Sequence, residues 1–310
     1  MELNENADLD SSQVEDARGS GGGGGGFGGL PIPIGGGMGI IVTIVVVVIG
    51  LLVGGGTLGR SMLGGGGNGG KQGDNTQLEQ KCATSNPDRF KNTDCRNLLY
   101  VNSIQAYWQT ALPQTFGKPY RAAPTRYFSS AVTTGCGQAD SGVGPFYCPA
   151  DDHVYIDLTF YDELANRFGA KGAFAQPYVL AHEYGHHIQD LLGTEAQMRR
   201  AQQRDPNNAN QYSVLLELQA DCYAGVWTNH ATETRDAKGQ ALFKSVTPQD
   251  VQEALAAAAA VGDDAIQKKM GGGVDESKFT HGSSEKRQQW FNQGYQSGDA
   301  RTCDTFGNGA

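Results

Sequence analysis

The stretch that most limits what this chain can fold into is His182-Glu183-Tyr184-Gly185-His186, taken with Glu217-Leu218-Gln219-Ala220-Asp221 further on. On a helix of about 3.6 residues per turn, His182 and His186 lie one turn apart and project from the same side, which makes half of a zinc site. Glu183, beside the first histidine, is placed to flank a metal-bound water and take its proton. A catalytic zinc usually has three protein ligands and a water, so a third ligand must come from another element. The chain therefore needs a second helix packed closely on the first.

Pro177 suits the first position of the motif helix and Gly193 the residue just past its end. A metzincin continuation is absent, because Gln189 and Leu192 stand where that pattern needs glycine and a third histidine. Residues 213–228 read as the partner helix, with Val214, Leu215, Leu218 and Val226 at roughly helical spacing. Within it Glu217 and Asp221 are also one turn apart. Glu217 is the expected third ligand, and Asp221 the expected acceptor of a ligand histidine's ring N–H, which would fix its tautomer. Gly185 and Ala220 hold matching places, each three residues after the first ligand of its helix. Small residues there allow close approach.

His-Glu-Tyr-Gly-His followed by Glu-Leu-Gln-Ala-Asp resembles the gluzincin pattern of H-E-x-x-H plus E-x-x-A-D, used by several membrane-bound zinc peptidases. More closely, residues 147–151, 154–158, 181–187, 250–255 and 279–282 resemble the bacterial putative neutral zinc metallopeptidase family. The resemblance covers most of the chain after its apolar segment. It implies an α+β, zincin-like metallopeptidase domain, mostly helical with a small sheet, with zinc on His182, His186 and Glu217 and Glu183 as base. It also implies an edge strand ahead of the zinc helix that pairs with an extended substrate; residues 153–160, where apolar and polar positions alternate, are the candidate, with an ordinary core strand as the other reading.

The rest of the chain supplies the setting. Of the net charge of −9, the first 18 residues contribute most, with six acids against Arg18 alone. No basic stripe appears, which argues against nucleic acid as a partner. Residues 1–33, acidic and then glycine-rich, read as a disordered tail. No charged residue occurs between Arg18 and Arg60, and residues 38–53 are almost continuously apolar. With its flanks (34–56) this run reaches the ~20 residues that cross a bilayer, and reads as one transmembrane helix. It starts late, lacks a cationic leader and has no small-residue cleavage site, so an uncleaved anchor is expected. A glycine-rich linker, 57–75, and the metallopeptidase domain, 76–310, follow.

Arg60 and Lys71 weakly favour a cytoplasmic side for that domain. The six cysteines point the other way. All follow the anchor and none forms a C-x-x-C pair, as expected for disulfides in an oxidising compartment. Of the 15 pairings that six cysteines allow, sequence proximity favours Cys82 with Cys95 and Cys136 with Cys148, leaving Cys222 for Cys303. The expected location is the bacterial cell membrane, single-pass, with the catalytic domain on the extracytoplasmic side.

Further elements expected are a helix over 94–112 ending before Pro113, a strand over 126–132, a helix from Thr247 and Pro248 to Lys269, and a last helix capped by Ser283 or Ser284. His187 should face away from the metal, and His153 and His230 have no partner pattern. A peptidase needs a donor for the oxyanion of its tetrahedral intermediate, and His281 and Tyr184 are the candidates. The reading is a membrane-anchored zinc peptidase acting on peptides or proteins. The alternative is a non-catalytic zinc-dependent binding or assembly factor at the cell envelope.

Overall fold

A computed structural model describes residues 1–18, 75–271 and 273–307. The segment read as an anchor, 34–56, and its linker lie outside these residues. Among the described residues no helix is long and apolar enough to cross a membrane.

The helices are α1 (Thr76–Cys82), α2 (Thr93–Phe116), α3 (Phe160–Asn166), α4 (Ala175–Leu192), α5 (Thr194–Arg204), α6 (Ala209–His230), α7 (Pro248–Ala260), α8 (Asp263–Lys269) and α9 (Ser284–Ser297). The strands are β1 (Glu2–Leu3), β2 (Val14–Asp16), β3 (Thr125–Phe128), β4 (Ala131–Thr134), β5 (Gly137–Asp140), β6 (Phe146–Cys148), β7 (His153–Asp157) and β8 (Phe243–Ser245). The domain is α+β, mostly helical with small sheets.

Helix α4 carries the first motif and α6 the second. Both are buried over most of their circumference, α6 without interruption from Leu216 to Thr228, as expected of helices in the middle of a core. Gly193, in the left-handed region at φ 79°, stops α4. Where α4 meets α6, a Cβ on Gly185 would lie 2.9 Å from the Cα of Ala220, so the two ligand-bearing helices touch backbone to backbone. On its other side α6 packs against α9, where side chains at Gly225 and Gly294 would collide with the carbonyl oxygens of Phe291 and Cys222. Helix α2 backs the pair through Trp108, set edge-on to Tyr223, and through Ser103, which accepts the indole N–H of Trp227.

Two helix boundaries differ from expectation. Helix α2 runs through Pro113 for one more turn and ends at Gly117 (φ 65°), whose N–H reaches the Pro113 carbonyl. Proline weakens a helix by removing one donor, but the flanking packing carries the turn past it. The helix from Thr247, closed by a capping box with Asp250, breaks at Val261–Gly262 instead of reaching Lys269 unbroken. Gly262 passes so close to Ser284 that a Cβ would lie 2.5 Å from its backbone nitrogen.

The main sheet has the order β2-β3-β7-β6, with β2 and β7 parallel to β3 and β6 antiparallel to β7. The expected strand over 126–132 is divided by Ser130 (φ 68°) into β3 and the β4–β5 hairpin. Strand β7 is shorter than its alternating pattern, since Phe160 begins α3, and it is interior to the sheet. The edge nearest the motif helix is β6, so the expectation that residues 153–160 form the edge strand is corrected: pairing on both sides leaves β7 no free backbone row.

The first 18 residues are part of the fold, which corrects the expectation of a disordered tail reaching residue 33. Strand β1 pairs with β8 and β2 with β3, Ala7 and Val14 are buried, and Asn102 holds both the N–H and the carbonyl of Asp10. Composition misled here because the backbone bonds that order this stretch come from residues far along the chain. The cysteines pair as expected, Cys82–Cys95, Cys136–Cys148 and Cys222–Cys303, the last tying the C-terminal tail to α6.

Candidate metal centre

The α4–α6 contact brings His182, His186 and Glu217 together, with one ligand atom of each within 4.8 Å of the others. The Nε2 of His182 lies 3.1 Å from Glu217 Oε2, and that of His186 lies 3.5 Å from Glu217 Oε1. Their other nitrogens are engaged elsewhere: His182 Nδ1 meets Asp221 Oδ1 at 2.9 Å, and His186 Nδ1 meets Gln189 Oε1 at 2.8 Å. With both Nδ1 atoms donating, both Nε2 atoms are turned to the Glu217 carboxylate and would offer their lone pairs to a metal once deprotonated. Two imidazoles and a carboxylate are a donor set that suits zinc.

The electrostatics also call for a cation there. Burial opposes charge on His182, but Asp221 and Glu217 outweigh it and raise its pKa to about 10. Burial likewise works against the Glu217 carboxylate, yet His186, His281 and His182 hold it far below the usual carboxylate range. Without a metal a proton fills this role, and a divalent ion would displace it.

Asp221 is fully buried and saturated. Besides His182 it accepts the Tyr178 hydroxyl at 2.6 Å and two guanidinium N–H groups of Arg287, at 2.7 and 3.0 Å. Despite burial, Arg287 and His182 lower its pKa to about 2. The carboxylate that orients His182 is therefore itself fixed by α4 and α9. Asp221→Asn, which keeps the shape and removes the charge, is expected to weaken zinc affinity by about 10 to 100-fold, read by competition with a chromophoric chelator.

Glu183 is buried beside His182, and burial raises its carboxyl above the ordinary value, the direction that suits a base working near neutral pH. Its Oε2 accepts the backbone N–H of Tyr147, on the edge strand β6, at 3.1 Å. His281 lines the same cavity. The break between α7 and α8 turns Asp263 toward the 280–282 loop, where its Oδ2 accepts three consecutive backbone N–H groups at 2.8, 2.7 and 2.9 Å. Its other oxygen lies 3.4 Å from His281 Nδ1. Burial opposes a charge on His281, and the Glu217 and Asp263 carboxylates overcome it and raise its pKa. The cavity measures about 200 Å³, and apart from these groups its wall is largely apolar, with Val143, Phe160, Phe168, Val179, Val261 and Ile266.

Tyr184, the other oxyanion candidate, points elsewhere: its hydroxyl sits between the Ala123 carbonyl and Thr125 Oγ1, on the face of α4 opposite the ligands. His187 also faces away, against the Arg121 carbonyl and Tyr147 hydroxyl, and burial lowers its pKa to about 4. His153 contacts Asp151 and Glu15, and His230 contacts Glu233 and the Gly298 carbonyl.

Arg287, Tyr178, Gln189 and the Tyr147 N–H escaped the sequence reading. For Arg287 a signal existed: it stands one turn before Phe291, placing a cation on the apolar stripe of α9. The Tyr147 N–H left none, because a backbone donor has no residue type.

The family described as putative neutral zinc metallopeptidase matches residues 4–306 of this chain. An uncharacterized protein of Mycobacterium tuberculosis strain H37Rv is 46% identical over 229 residues, 73% of this chain and 74% of its own length. An uncharacterized protein of Escherichia coli strain K12 is 46% identical over 195 residues, 63% of this chain and 65% of its own. No solved structure matches.

Proposed function

This chain belongs to the putative neutral zinc metallopeptidase family, and from that premise we propose that it is a zinc-dependent peptidase whose ion is held by His182, His186 and Glu217. The observation that carries the reading is the convergence of three donors, His182 and Glu217 buried and His186 partly so, from two touching helices, with a further carboxylate, Glu183, directly beside them. Zinc bound there would polarise the scissile carbonyl and make a water more acidic.

The remaining work falls to the protein. Glu183, held by the Tyr147 N–H, takes a proton from the attacking water and hands it to the leaving amine. His281, with Nδ1 turned to Asp263, has Nε2 available to donate to the oxyanion. The outer edge of β6 offers backbone groups to an extended peptide, and the apolar wall suits a bulky apolar side chain of the substrate. His281→Gln is accordingly expected to lower kcat by about 10² to 10³-fold with zinc content unchanged. Equal losses in zinc and rate would instead make His281 part of the metal site.

The reading as a whole is tested on purified full-length protein by elemental analysis and by hydrolysis of a mixed peptide library. One zinc per chain is expected, with cleavage stopped by a chelator and restored by zinc. A chain that holds zinc and cleaves nothing, including proteins of its own cell, would count against a peptidase.

A further inference from the structure

Arg18 and Asn75, the described residues on either side of residues 19–74, are both hydrogen-bonded to Asp16. Asn75, the first residue after them, accepts the Asp16 N–H on its Oδ1 at 3.0 Å, and its amide donates to the carbonyls of Ser11 (3.0 Å) and Val14 (2.6 Å). Arg18, the last before them, reaches Asp94 Oδ2 at 2.9 Å, and the same oxygen takes Lys81 of α1 at 2.8 Å. We propose that residues 1–18 lie on the same side of the membrane as the metal centre. Arg18 and Asn75 then lie on one face of the membrane.

Residues 1–18 are bound to the domain most firmly at Arg89. Its side chain is buried at 1% exposure and, among the described residues, has no carboxylate in hydrogen-bond contact. Its guanidinium donates instead to the carbonyls of Glu5 (3.0 Å) and Ala7 (2.6 Å) from the first segment, and of Cys82 (2.9 Å). Withdrawing the segment would strip a buried cation of most of its acceptors, uncover Val14 and Ala7, and leave the backbone of β3 unpaired along one side. A domain built this way does not form with its first strands elsewhere.

A single pass would put a hydrocarbon core of ~30 Å between groups that are hydrogen-bonded here. Returning to the starting side takes an even number of crossings. The sequence between Arg18 and Asn75 has one long apolar run, Met38 to Val53, and a single crossing by it is incompatible with residues 1–18 docked on the domain. The three disulfides place the domain in an oxidising compartment, and the acidic first segment goes there with it. None of this depends on what the metal centre does.

The test uses the full chain in cells, with outer barriers removed and the inner membrane intact. Asp8→Cys reports on the first segment, at a half-exposed position paired with Lys238, and Lys286→Cys reports on exposed α9. A membrane-impermeant maleimide should label both thiols to the same extent before lysis. Labelling of one before lysis and the other only afterwards restores the single-pass arrangement and overturns the proposal. In Asp8→Cys/Lys238→Cys, a short impermeant bis-maleimide should link the two sites within one chain. Failure to link while both are labelled would show that the segment is not docked in the cell. The protein should also fractionate with membranes, and recovery in the soluble fraction would overturn the assignment of a membrane side.

Discussion

Glu183→Gln is expected to leave one zinc per chain and a normal melting temperature while lowering kcat/KM for any peptide substrate by about 10² to 10⁴-fold. Glutamine fills the same space, and its carbonyl can still accept the Tyr147 N–H that Glu183 Oε2 accepts now. What disappears is a carboxylate able to take up a proton. Its pKa is raised because burial outweighs the opposing pull of His182 and His186, which brings that proton affinity closer to working pH. The comparison requires elemental analysis, a thermal melt and steady-state rates on the same preparation. An unaltered rate with zinc in place would exclude Glu183 as the base. Cells offer a second reading. If Glu183→Gln supports every phenotype of the unaltered protein and His182→Ala supports none, zinc serves binding or assembly, and the peptidase reading is lost.

Glu217→Ala is expected to abolish stoichiometric zinc, the largest change any single substitution should make at this site. Only two imidazoles would remain, too few for a catalytic zinc site. His182 would keep Asp221 on Nδ1 and lose its partner on Nε2. Retention of zinc by Glu217→Ala would send the third ligand elsewhere. Glu195, on the cavity wall and paired with Arg199, and Asp190, which accepts the Tyr147 hydroxyl at 3.2 Å, would then be the next candidates. In the unaltered protein, metal binding should also be proton-linked. The metal-free His182 titrates at about 10, so near neutral pH a proton must leave before Nε2 can ligate. Apparent zinc affinity is therefore expected to rise as pH is raised toward that value and to fall in acid. Calorimetry in buffers of different ionisation enthalpy would count the protons released, and a count of zero would contradict the linkage.

The parts of the site that could be read in advance are those governed by local geometry. Helical period alone puts His182 over His186 and Glu217 over Asp221, and Gly185 and Ala220 are small enough to show where the two helices could touch. Short loops made the Cys82–Cys95 and Cys136–Cys148 bonds legible, and Cys222–Cys303 followed from what was left. The failures share a cause. Residues 1–18 contain little apolar surface and no strong period, since their order comes from pairing with β3 and β8 and from carbonyls turned toward Arg89.

The sequence by itself determined which donors exist, how they repeat along their helices and which cysteines had near partners, because these depend on spacings of a few residues. Tertiary structure decided that β6, not β7, is the sheet edge beside Glu183, and that a break at Gly262 aims Asp263 at His281. It also decided that Arg287 from α9 closes on Asp221, and that the acidic first segment pairs with β3 and β8. Each of these is a contact between residues far apart in the chain, formed because a buried charge or an unpaired backbone group needs a partner. Nothing in the neighbouring sequence records which partner it will find.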